Sequence, residues 1–446
     1  MSTLVHENKV KETLGKHILA DGFDFVMDFE KSHGSYIVDR LTGKEYLDMF
    51  SMFASASVGY NHPYILEKAD WLGKMAIYKP TLSDVYLQEY ADFMEVFARV
   101  AIPKELPYCF FVEGGALAVE NALKTAFDWK TRKNWQKNID KEAGMVIHFK
   151  QSFHGRSGYT LSLTNTSDPR KHQYFPKFDW PRISNPKLSF PITEENLEET
   201  IKHEQLALLH IQEAILANPD EVACVIIEPI QAEGGDNHFR NEFFTELRRI
   251  CDENEILLIL DEVQTGIGMT GKMWAFQHLD IIPDVITFGK KTQVCGILAN
   301  KEKLDEVEHH VFVESSRINS TFGGNFIDML RFQLVLEIIE NENLVENSRI
   351  VGEFLLDGLK KLAQKYPDHI SAARGKGLMC AFDLKDGASR DWLRKALYDE
   401  GVIVLTCGDQ SLRFRPHLNV TKEEIQIILD KINSIFELSL IHISEP

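Results

Sequence analysis

Short apolar runs alternate with longer amphipathic stretches along most of the chain. Runs of this length that are apolar at nearly every position are typical of strands buried on both faces of a parallel sheet. The clearest runs are Met145–Phe149, Val222–Ile227 and Ile256–Leu260. The helical patterns between and around them are Ala116–Trp135, Glu194–Ala217 and Asn241–Asn254. This order predicts an α/β fold with a large central domain built on a mostly parallel sheet.

The pattern changes after Asn325, where the remaining chain reads as a smaller α+β unit. Its predicted elements are two helices (Phe326–Glu342 and Val345–Tyr366), a strand (Leu378–Leu384), a helix (Arg390–Glu400), short strands near Val402 and Leu412, and a last helix from Thr421. Near the other end of the chain, Ser35–Ala54 has hairpin character, with Thr42-Gly43 as its turn. We expect this hairpin to pack against the C-terminal unit.

These patterns predict four segments. Residues 1–60 form an N-terminal segment on the small domain, 61–325 the large domain, and 326–438 the small C-terminal domain. The last helix is predicted to end near Glu437, because the final letters, SLIHISEP, do not continue its pattern. We interpret residues 439–446 as a non-native tail and exclude them from the fold prediction.

Composition narrows the functional classes. The 446 residues carry a net charge of −18, which disfavours nucleic acid as a partner because phosphate binding needs a basic surface. No apolar run approaches the roughly 18 residues of a membrane-spanning helix, and the charged N-terminus does not resemble a secretory signal. Six scattered cysteines without CxxC spacing predict reduced thiols, a cytoplasmic location and no metal site.

The strongest chemical signal lies where two predicted strands end. Asp261 and Glu262 follow an apolar run, and Lys290 follows the next one directly after Gly289. Charged groups at such positions are costly unless they are paired, and ligands of α/β proteins bind at the carboxyl ends of strands. The alternatives are that the carboxylates cap the next helix or loop, and that Lys290 and Lys291 are solvated.

One further motif suggests a different class of protein. Gly266–Lys272 matches the G-x-x-x-x-G-K part of a phosphate-binding loop and follows a predicted strand. The next residue is Met273, where that motif needs Ser or Thr to hold magnesium. A nucleotide-binding protein therefore remains the weaker alternative.

Taken together, the motifs resemble the class III (ω-) aminotransferases of the pyridoxal-phosphate fold-type I superfamily. The segments that carry the resemblance are Phe153–Arg156 (FHGR), Glu228–Gly235 (EPIQAEGG), Asp261–Gly266 (DEVQTG), Asp284–Lys290, Arg374–Gly377 (RGKG) and Arg413–Pro416 (RFRP). The residues of Glu113–Asn121 and Asn319–Asn325 are similar to those of the branch of that family that transaminates L-lysine at its ε-amine. The resemblance spans about Gly34 to Val420.

The resemblance implies a reaction as well as a fold. The expected activity moves the ε-amino group of L-lysine to 2-oxoglutarate, giving L-2-aminoadipate 6-semialdehyde and L-glutamate. Enzymes acting on ornithine or 4-aminobutyrate are the close alternatives, and a non-catalytic relative is the more distant one. The expected assembly is a homodimer with the active site at its interface.

The resemblance also assigns residues to the cofactor, pyridoxal 5′-phosphate. Asp261 is expected beside the ring nitrogen, and Lys290 is expected to bind the aldehyde and carry protons. The further cofactor contacts implied are Gly115 and Ala116 at the phosphate, Thr321 at the phosphate of the neighbouring subunit, Phe153 and Val263 on the ring faces, and Gln264 at the ring hydroxyl or the substrate. Core packing for Phe153 and Val263, and helix capping for Thr321, are the simpler alternatives.

Three charged residues are implied for the substrates. Arg156 is expected to hold the α-carboxylate of the donor, and Arg413 the α-carboxylate of 2-oxoglutarate, because a guanidinium matches two carboxylate oxygens. Glu233 is expected to neutralise Arg413 while the donor is bound. For a single arginine, a surface ion pair is the simpler explanation.

Overall fold

The computed structural model describes residues 4–444, with side chains up to residue 439. The strands are β1 (Tyr36–Val38), β2 (Glu45–Asp48), β3 (Tyr108–Val112), β4 (Met145–Phe149), β5 (Arg182–Ile183), β6 (Val222–Ile227), β7 (Leu257–Asp261), β8 (Val285–Phe288), β9 (Cys295–Ala299), β10 (Ile370–Lys376), β11 (Met379–Leu384), β12 (Val402–Ile403), β13 (Leu405–Cys407) and β14 (Ser411–Phe414).

The helical elements lie mostly between these strands. They are α1 (Val10–Gly15), α2 (Ser51–Ala54), α3 (Pro63–Glu67), α4 (Ala69–Met75), α5 (Gln88–Val100), α6 (Gly115–Gln136), α7 (Gly158–Leu163), α8 (Glu194–Ala217), α9 (Asn241–Glu253), α10 (Lys301–Leu304), α11 (Phe326–Asn341), α12 (Leu344–Lys365), α13 (Gly387–Asp399) and α14 (Lys422–Ser444). Short 3₁₀ turns cover Glu7–Lys9, Pro169–Lys171, Ala275–His278 and Lys290–Thr292.

The central sheet has seven strands in the order β3-β9-β8-β7-β6-β4-β5. The pairs of β7 with β6 and β8 are parallel, as are those of β4 with β5 and β6. Only β9 runs against its neighbours, β3 and β8. The predicted α/β fold with a mostly parallel sheet is therefore confirmed, and the structure adds the reversed strand.

Residues on opposite faces of the sheet enter two separate apolar clusters. Val225 and Ile227 of β6 pack in the larger cluster, whereas Cys224 and Ile226 pack in the cluster that includes α6 residues. Each fully buried aliphatic side chain contributes about 1.5–3 kcal/mol to folding. Burial on both faces explains why β6 reads as a continuous apolar run, and its predicted bounds agree with the structure.

The N-terminal hairpin joins the C-terminal part of the chain. β1 and β2 pair antiparallel, and β12 adds to β2 in parallel, with Val402 opposite Leu47. Strands β10, β11, β14 and β13 form a separate antiparallel sheet. The predicted packing of the hairpin on the C-terminal unit is confirmed, while the domain boundaries after residues 60 and 325 stay predictions.

The end of the last helix differs from the prediction. α14 continues through Ser444 instead of ending near Glu437. The residues after Glu437 contain no Gly or Pro before Pro446, so no local signal stops the helix there. The non-native origin of 439–446 stays a prediction, and residues 445–446 lie outside the described part.

Two observations concern the other classes of protein that were considered. Within residues 4–444, no helix combines the length and the apolar character needed to cross a membrane. The Gly266–Lys272 motif does not open an α-helix, because turns and the 3₁₀ segment Ala275–His278 follow it. A phosphate-binding loop requires a helix N-terminus at that point, so the nucleotide interpretation loses its structural basis.

Candidate active site

A cavity of about 540 Å³ opens at the carboxyl ends of β7 and β8. Every predicted site residue except Thr321 lies in its wall: Gly115, Ala116, Phe153, Arg156, Glu233, Asp261, Val263, Gln264, Lys290 and Arg413. The same wall also contains Phe53, Val119, His154, Gly155, Lys171 and Glu228, which were not predicted as site residues. The cavity lies where ligands of open α/β sheets bind.

The two adjacent lysines have different environments. Lys290 lines the cavity, and its Nζ donates to the carbonyl of Phe53 at 3.2 Å. Burial, together with the charge of Arg413, lowers the pKa of Lys290 to about 8. Lys291 is buried, and its Nζ donates to the carbonyl of Gln264 at 2.8 Å. The Lys290 amine is therefore placed to meet a ligand in the cavity, whereas the Lys291 amine makes a buried contact with the backbone.

The segment around Lys290 adopts unusual backbone conformations. Lys290 itself has φ 55°, and Ser51–Ala54 opposite it are four consecutive residues with φ between 41° and 63°. Left-handed geometry costs roughly 1–2 kcal/mol for each residue other than glycine. Asp48 stabilises this turn by accepting from the backbone N–H groups of residues 50 and 51 at 2.8 and 2.9 Å. The turn places the Phe53 carbonyl against Lys290.

The neighbouring carboxylates Asp261 and Glu262 also differ. Asp261 lines the cavity, with its Oδ2 2.8 Å from His154 Nδ1 and its Oδ1 accepting from the Thr287 hydroxyl at 2.9 Å. Glu262 points away and accepts from the backbone N–H groups of Ala275 and of the residue after it. The capping alternative is therefore correct for Glu262, whereas Asp261 both accepts from the backbone N–H of Val263 at 3.1 Å and faces the cavity.

Glu228 supports the wall that carries Phe153. Its carboxylate accepts from the backbone N–H groups of Phe153 at 2.9 Å and Ala232 at 3.1 Å. Burial, with a smaller effect of the nearby Asp261, raises the pKa of Glu228 to about 7. The predicted stacking role of Phe153 thus has a dedicated support, although the role itself stays a prediction.

The long helix α6 begins at the cavity. Gly114, which precedes it, has φ 105°, and no side chain caps the helix start. The first backbone N–H groups of a helix lack intrahelical partners and attract anions. A Cβ added to Gly115 would lie 3.4 Å from Val263, so a side chain there would narrow this end of the cavity. Gly115 and Ala116 therefore form a surface that suits a phosphate group.

A buried ion pair orients Gln264. Arg415 forms a two-point contact with Asp236, and both side chains are only 1% exposed. The Arg415 Nε donates to Gln264 Oε1 at 2.9 Å. Because the amide oxygen is occupied, the amide nitrogen of Gln264 is the end left to donate to a ligand.

Glu233 lies between two cations. Its Oε2 is 2.9 Å from Arg413 Nη2, and its Oε1 is 2.5 Å from Lys171 Nζ. Burial acts to raise the pKa of Glu233, but the charges of Arg413 and Lys171 outweigh it and hold the pKa below its usual value. The Nε and Nη1 of Arg413 are buried without a partner in the described part of the chain. No described residue therefore competes with a ligand for these two donors.

The last two predicted residues are more exposed. Arg156 lines the cavity and forms no ion pair with the described residues. Thr321 is exposed outside the cavity, and its carbonyl accepts from the Ser83 hydroxyl at 3.4 Å. The phosphate role of Thr321 therefore depends on a second chain.

Sequence reasoning missed several residues of the wall. His154 and Glu228 belong to the motifs FHGR and EPIQAEGG, which also contain Phe153 and Glu233. Their membership in those motifs could have marked them as candidate site residues. Lys171 and Phe53 carry no motif, and they reach the cavity only through the tertiary fold.

Comparison with known proteins shows the family to which the chain belongs. The family model described as "Aminotransferase class-III" matches residues 19–436. The chain belongs to the class III aminotransferases. It is 49% identical to the L-lysine-epsilon aminotransferase of Mycobacterium tuberculosis (strain ATCC 25618 / H37Rv), over 96% of this chain and 95% of the relative. The structure of a lysine aminotransferase from M. tuberculosis is similar, with a TM-score of 0.94 at 48% identity over 96% of this chain and 99% of that one. Human mitochondrial 4-aminobutyrate aminotransferase is 32% identical, over 93% and 86%.

Enzymes of this class use pyridoxal 5′-phosphate, and the cavity of this aminotransferase fits that group. The uncapped N–H groups at the start of α6 suit the phosphate, and the Asp261 carboxylate suits a protonated ring nitrogen. The Lys290 amine, with its lowered pKa, suits the aldehyde. When bound, the cofactor supplies a ring that withdraws electrons from the carbon bearing the amine. The contact with His154 at 2.8 Å holds the Asp261 carboxylate in its place in the cavity wall.

Proposed function

We propose that this aminotransferase moves the ε-amino group of L-lysine to 2-oxoglutarate, forming L-2-aminoadipate 6-semialdehyde and L-glutamate. The observation that carries the choice of lysine is the 49% identity to an L-lysine-epsilon aminotransferase over nearly the whole length of both chains. The lower identity to a 4-aminobutyrate aminotransferase makes that donor the weaker alternative.

The pair of Glu233 and Arg413 supports a donor that reacts through a distant amine. An ε-amine has no carboxylate on the reacting carbon, so a free Arg413 near Lys290 would instead attract the α-carboxylate and turn lysine around. Glu233 neutralises Arg413 at 2.9 Å and removes that attraction. 2-Oxoglutarate has a carboxylate beside its carbonyl and competes with Glu233 for Arg413.

Arg156 and Lys290 complete the assignment. Arg156 is unpaired among the described residues and is suited to the carboxylate at the far end of each substrate. Lys290 has a pKa of about 8, so its amine is partly neutral near pH 7 and can take up and return the proton at the reacting carbon. Lys291 is not placed for this role, because it is buried outside the cavity wall and its Nζ donates to the carbonyl of Gln264.

A donor screen tests the proposed function. Purified enzyme loaded with pyridoxal 5′-phosphate is given L-lysine, L-ornithine or 4-aminobutyrate with 2-oxoglutarate, and the glutamate formed is measured. We expect the highest kcat/KM with lysine. A higher value with either other donor would refute the choice of lysine, and no glutamate from any donor would favour a non-catalytic relative.

We also propose a homodimer in which Thr321 contributes to the phosphate site of the partner. Thr321 and its neighbour contact residues 82 and 83, and the segment around them exposes Ile77, Tyr78 and Tyr86. Adjacent exposed apolar side chains are typical of an interface, and a second copy of this chain is the partner that the Thr321 assignment requires. Sedimentation should show a dimer, whereas a fully active monomer would contradict the assignment.

The cytoplasm is the compartment that we propose for the enzyme. All six cysteines are unpaired, and five of them are buried. Thiols persist in a reducing compartment, whereas oxidising compartments favour disulfides. Localisation of a tagged full-length chain tests this, and a signal confined to another compartment would refute it.

A further inference from the structure

Besides Arg413, Glu233 contacts a second cation, Lys171. The proposed competition between Glu233 and 2-oxoglutarate for Arg413 gives Lys171 no role. Lys171 ends the 3₁₀ turn Pro169–Lys171, and its Nζ lies 2.5 Å from Glu233 Oε1. The Lys171 and Glu233 side chains are 24% and 25% exposed, so their charges are only partly screened by water. The preceding Arg170 instead points to solvent and pairs with Asp168.

We call the part of the cavity wall that contains Arg156, Lys171, Glu233 and Arg413 the substrate end, and its charges can be counted. Its cations are Arg156, Lys171 and Arg413, and its carboxylate is Glu233. The remaining charged wall residues are engaged elsewhere: Asp261 with His154, Glu228 with backbone N–H groups, and Lys290 with the Phe53 carbonyl.

The two substrates place different demands on these cations. L-Lysine brings one carboxylate, which together with Glu233 makes two, and the two arginines can pair with both. 2-Oxoglutarate brings two carboxylates, which together with Glu233 make three. A partly buried carboxylate left without a cation is costly, so the keto acid requires a third positive charge.

We propose that Lys171 is this third cation: it keeps Glu233 paired when 2-oxoglutarate occupies Arg413, and it therefore determines specificity for the keto acid. This inference rests on the proposed function. Rotation of Glu233 away from Arg413 breaks one of its two contacts and leaves the contact with Lys171. Once released from Arg413, the carboxylate can place both oxygens on Lys171, so Lys171 stabilises the open arrangement more than the closed one.

The test compares Lys171→Met with Lys171→Arg and with Arg170→Met as the matched control. The control removes a neighbouring charge whose side chain is 83% exposed and outside the cavity wall. Each half-reaction is followed in a single turnover, and binding of glutarate, a five-carbon dicarboxylate that cannot react, is measured by calorimetry. Melting temperature and cofactor absorbance report whether each variant is folded and loaded.

For Lys171→Met we expect the half-saturating 2-oxoglutarate concentration to rise about 5- to 30-fold, as for the loss of one charge-assisted hydrogen bond that water partly screens. Glutarate binding should weaken to a similar extent, while the lysine half-reaction stays within about twofold. Lys171→Arg should restore most of the affinity, and Arg170→Met should behave as the wild type.

A second background separates Lys171 acting through Glu233 from Lys171 binding the keto acid directly. In Glu233→Gln the cavity has one carboxylate fewer, so the further change Lys171→Met should then cost less than about twofold in glutarate affinity. An unchanged penalty in that background would overturn the proposal, as would equal losses in both half-reactions, no loss in either, or a wild type that does not bind glutarate. If the wild type reacts with 2-oxoglutarate but not with lysine, the proposed donor is wrong, and the glutarate comparison still decides the role of Lys171.

Discussion

Replacing Glu233 with glutamine should change which end of an amino donor enters the site. The substitution keeps the shape of the side chain but removes the charge that lies 2.9 Å from Arg413 and 2.5 Å from Lys171. Arg413 is 4% exposed, and two of its donors already lack partners in the described part of the chain. Without Glu233, the guanidinium is open to any carboxylate beside the reacting carbon.

The magnitude follows from the contact that is lost. A hydrogen bond between charged groups contributes about 1.5–3 kcal/mol. Because Glu233 is a quarter exposed, we take the lower limit, roughly 1.5 kcal/mol or about tenfold in relative preference. In Glu233→Gln, kcat/KM for L-lysine should therefore fall relative to that for L-alanine by about this factor, while the 2-oxoglutarate half-reaction is retained.

Single-turnover spectra of the loaded enzyme provide the assay. The wild type and Glu233→Gln are each mixed with lysine, with alanine, and, after conversion to the amine form, with 2-oxoglutarate. Asp168→Asn is the control, because it removes a carboxylate that is 29% exposed, similar to Glu233, and that pairs with Arg170 outside the cavity wall. Equal slowing of all three reactions, with no change in preference, would show that Glu233 is structural and that the proposed competition for Arg413 is wrong.

Three further predictions follow from the same geometry. Lys290→Ala should bind the cofactor without a covalent link and lose transamination. Lys291→Met should keep the link but lose about 1–3 kcal/mol of unfolding free energy, because the Gln264 carbonyl loses its donor. Peptide mass spectrometry after borohydride reduction locates the adduct, and an adduct on Lys291 would refute the assignment. The rate of covalent cofactor capture by the apoenzyme should rise with pH with a midpoint near 8, because burial lowers the pKa of Lys290 to about 8 and only the neutral amine reacts. A midpoint near the usual lysine value of about 10.4 would contradict this. Asp236→Asn should lower the unfolding free energy by about 3–5 kcal/mol, because the charge of Arg415 is left buried without its ion pair. Urea unfolding measures this free energy, and a loss below about 1 kcal/mol would contradict the claim that the buried pair stabilises the fold.

The parts of the fold that could be predicted are those whose signal is local. Val222–Ile227 is apolar at nearly every position because both faces of β6 are buried, and Glu194–Ala217 has a capping Thr193 directly before it. The reversed direction of β9 has no local signal, because Cys295–Ala299 is short and apolar whichever way it runs. The left-handed turn Ser51–Ala54 also escaped prediction, since it contains no glycine and depends on contacts such as that of Ser51 with the Arg415 carbonyl.

The same distinction holds for the site. Asp261 and Lys290 could be predicted because Asp261 ends one strand and Lys290 follows the end of the next, and a strand end is visible in the sequence. Glu262 and Lys291 share that signal with them, and only the structure shows that they bond to backbone groups instead. Lys171 lies 62 residues from Glu233 in a turn without a motif, so their contact exists only in the folded chain.

The transfer of nitrogen from isotopically labelled lysine tests the central claim most directly. The loaded enzyme is incubated with 2-oxoglutarate and with L-lysine carrying ¹⁵N at either the ε- or the α-position, and the glutamate formed is analysed by mass spectrometry. The account predicts labelled glutamate from ε-labelled lysine and unlabelled glutamate from α-labelled lysine. Labelled glutamate from the α-position would contradict it, because lysine would then enter with its α-amine toward Lys290.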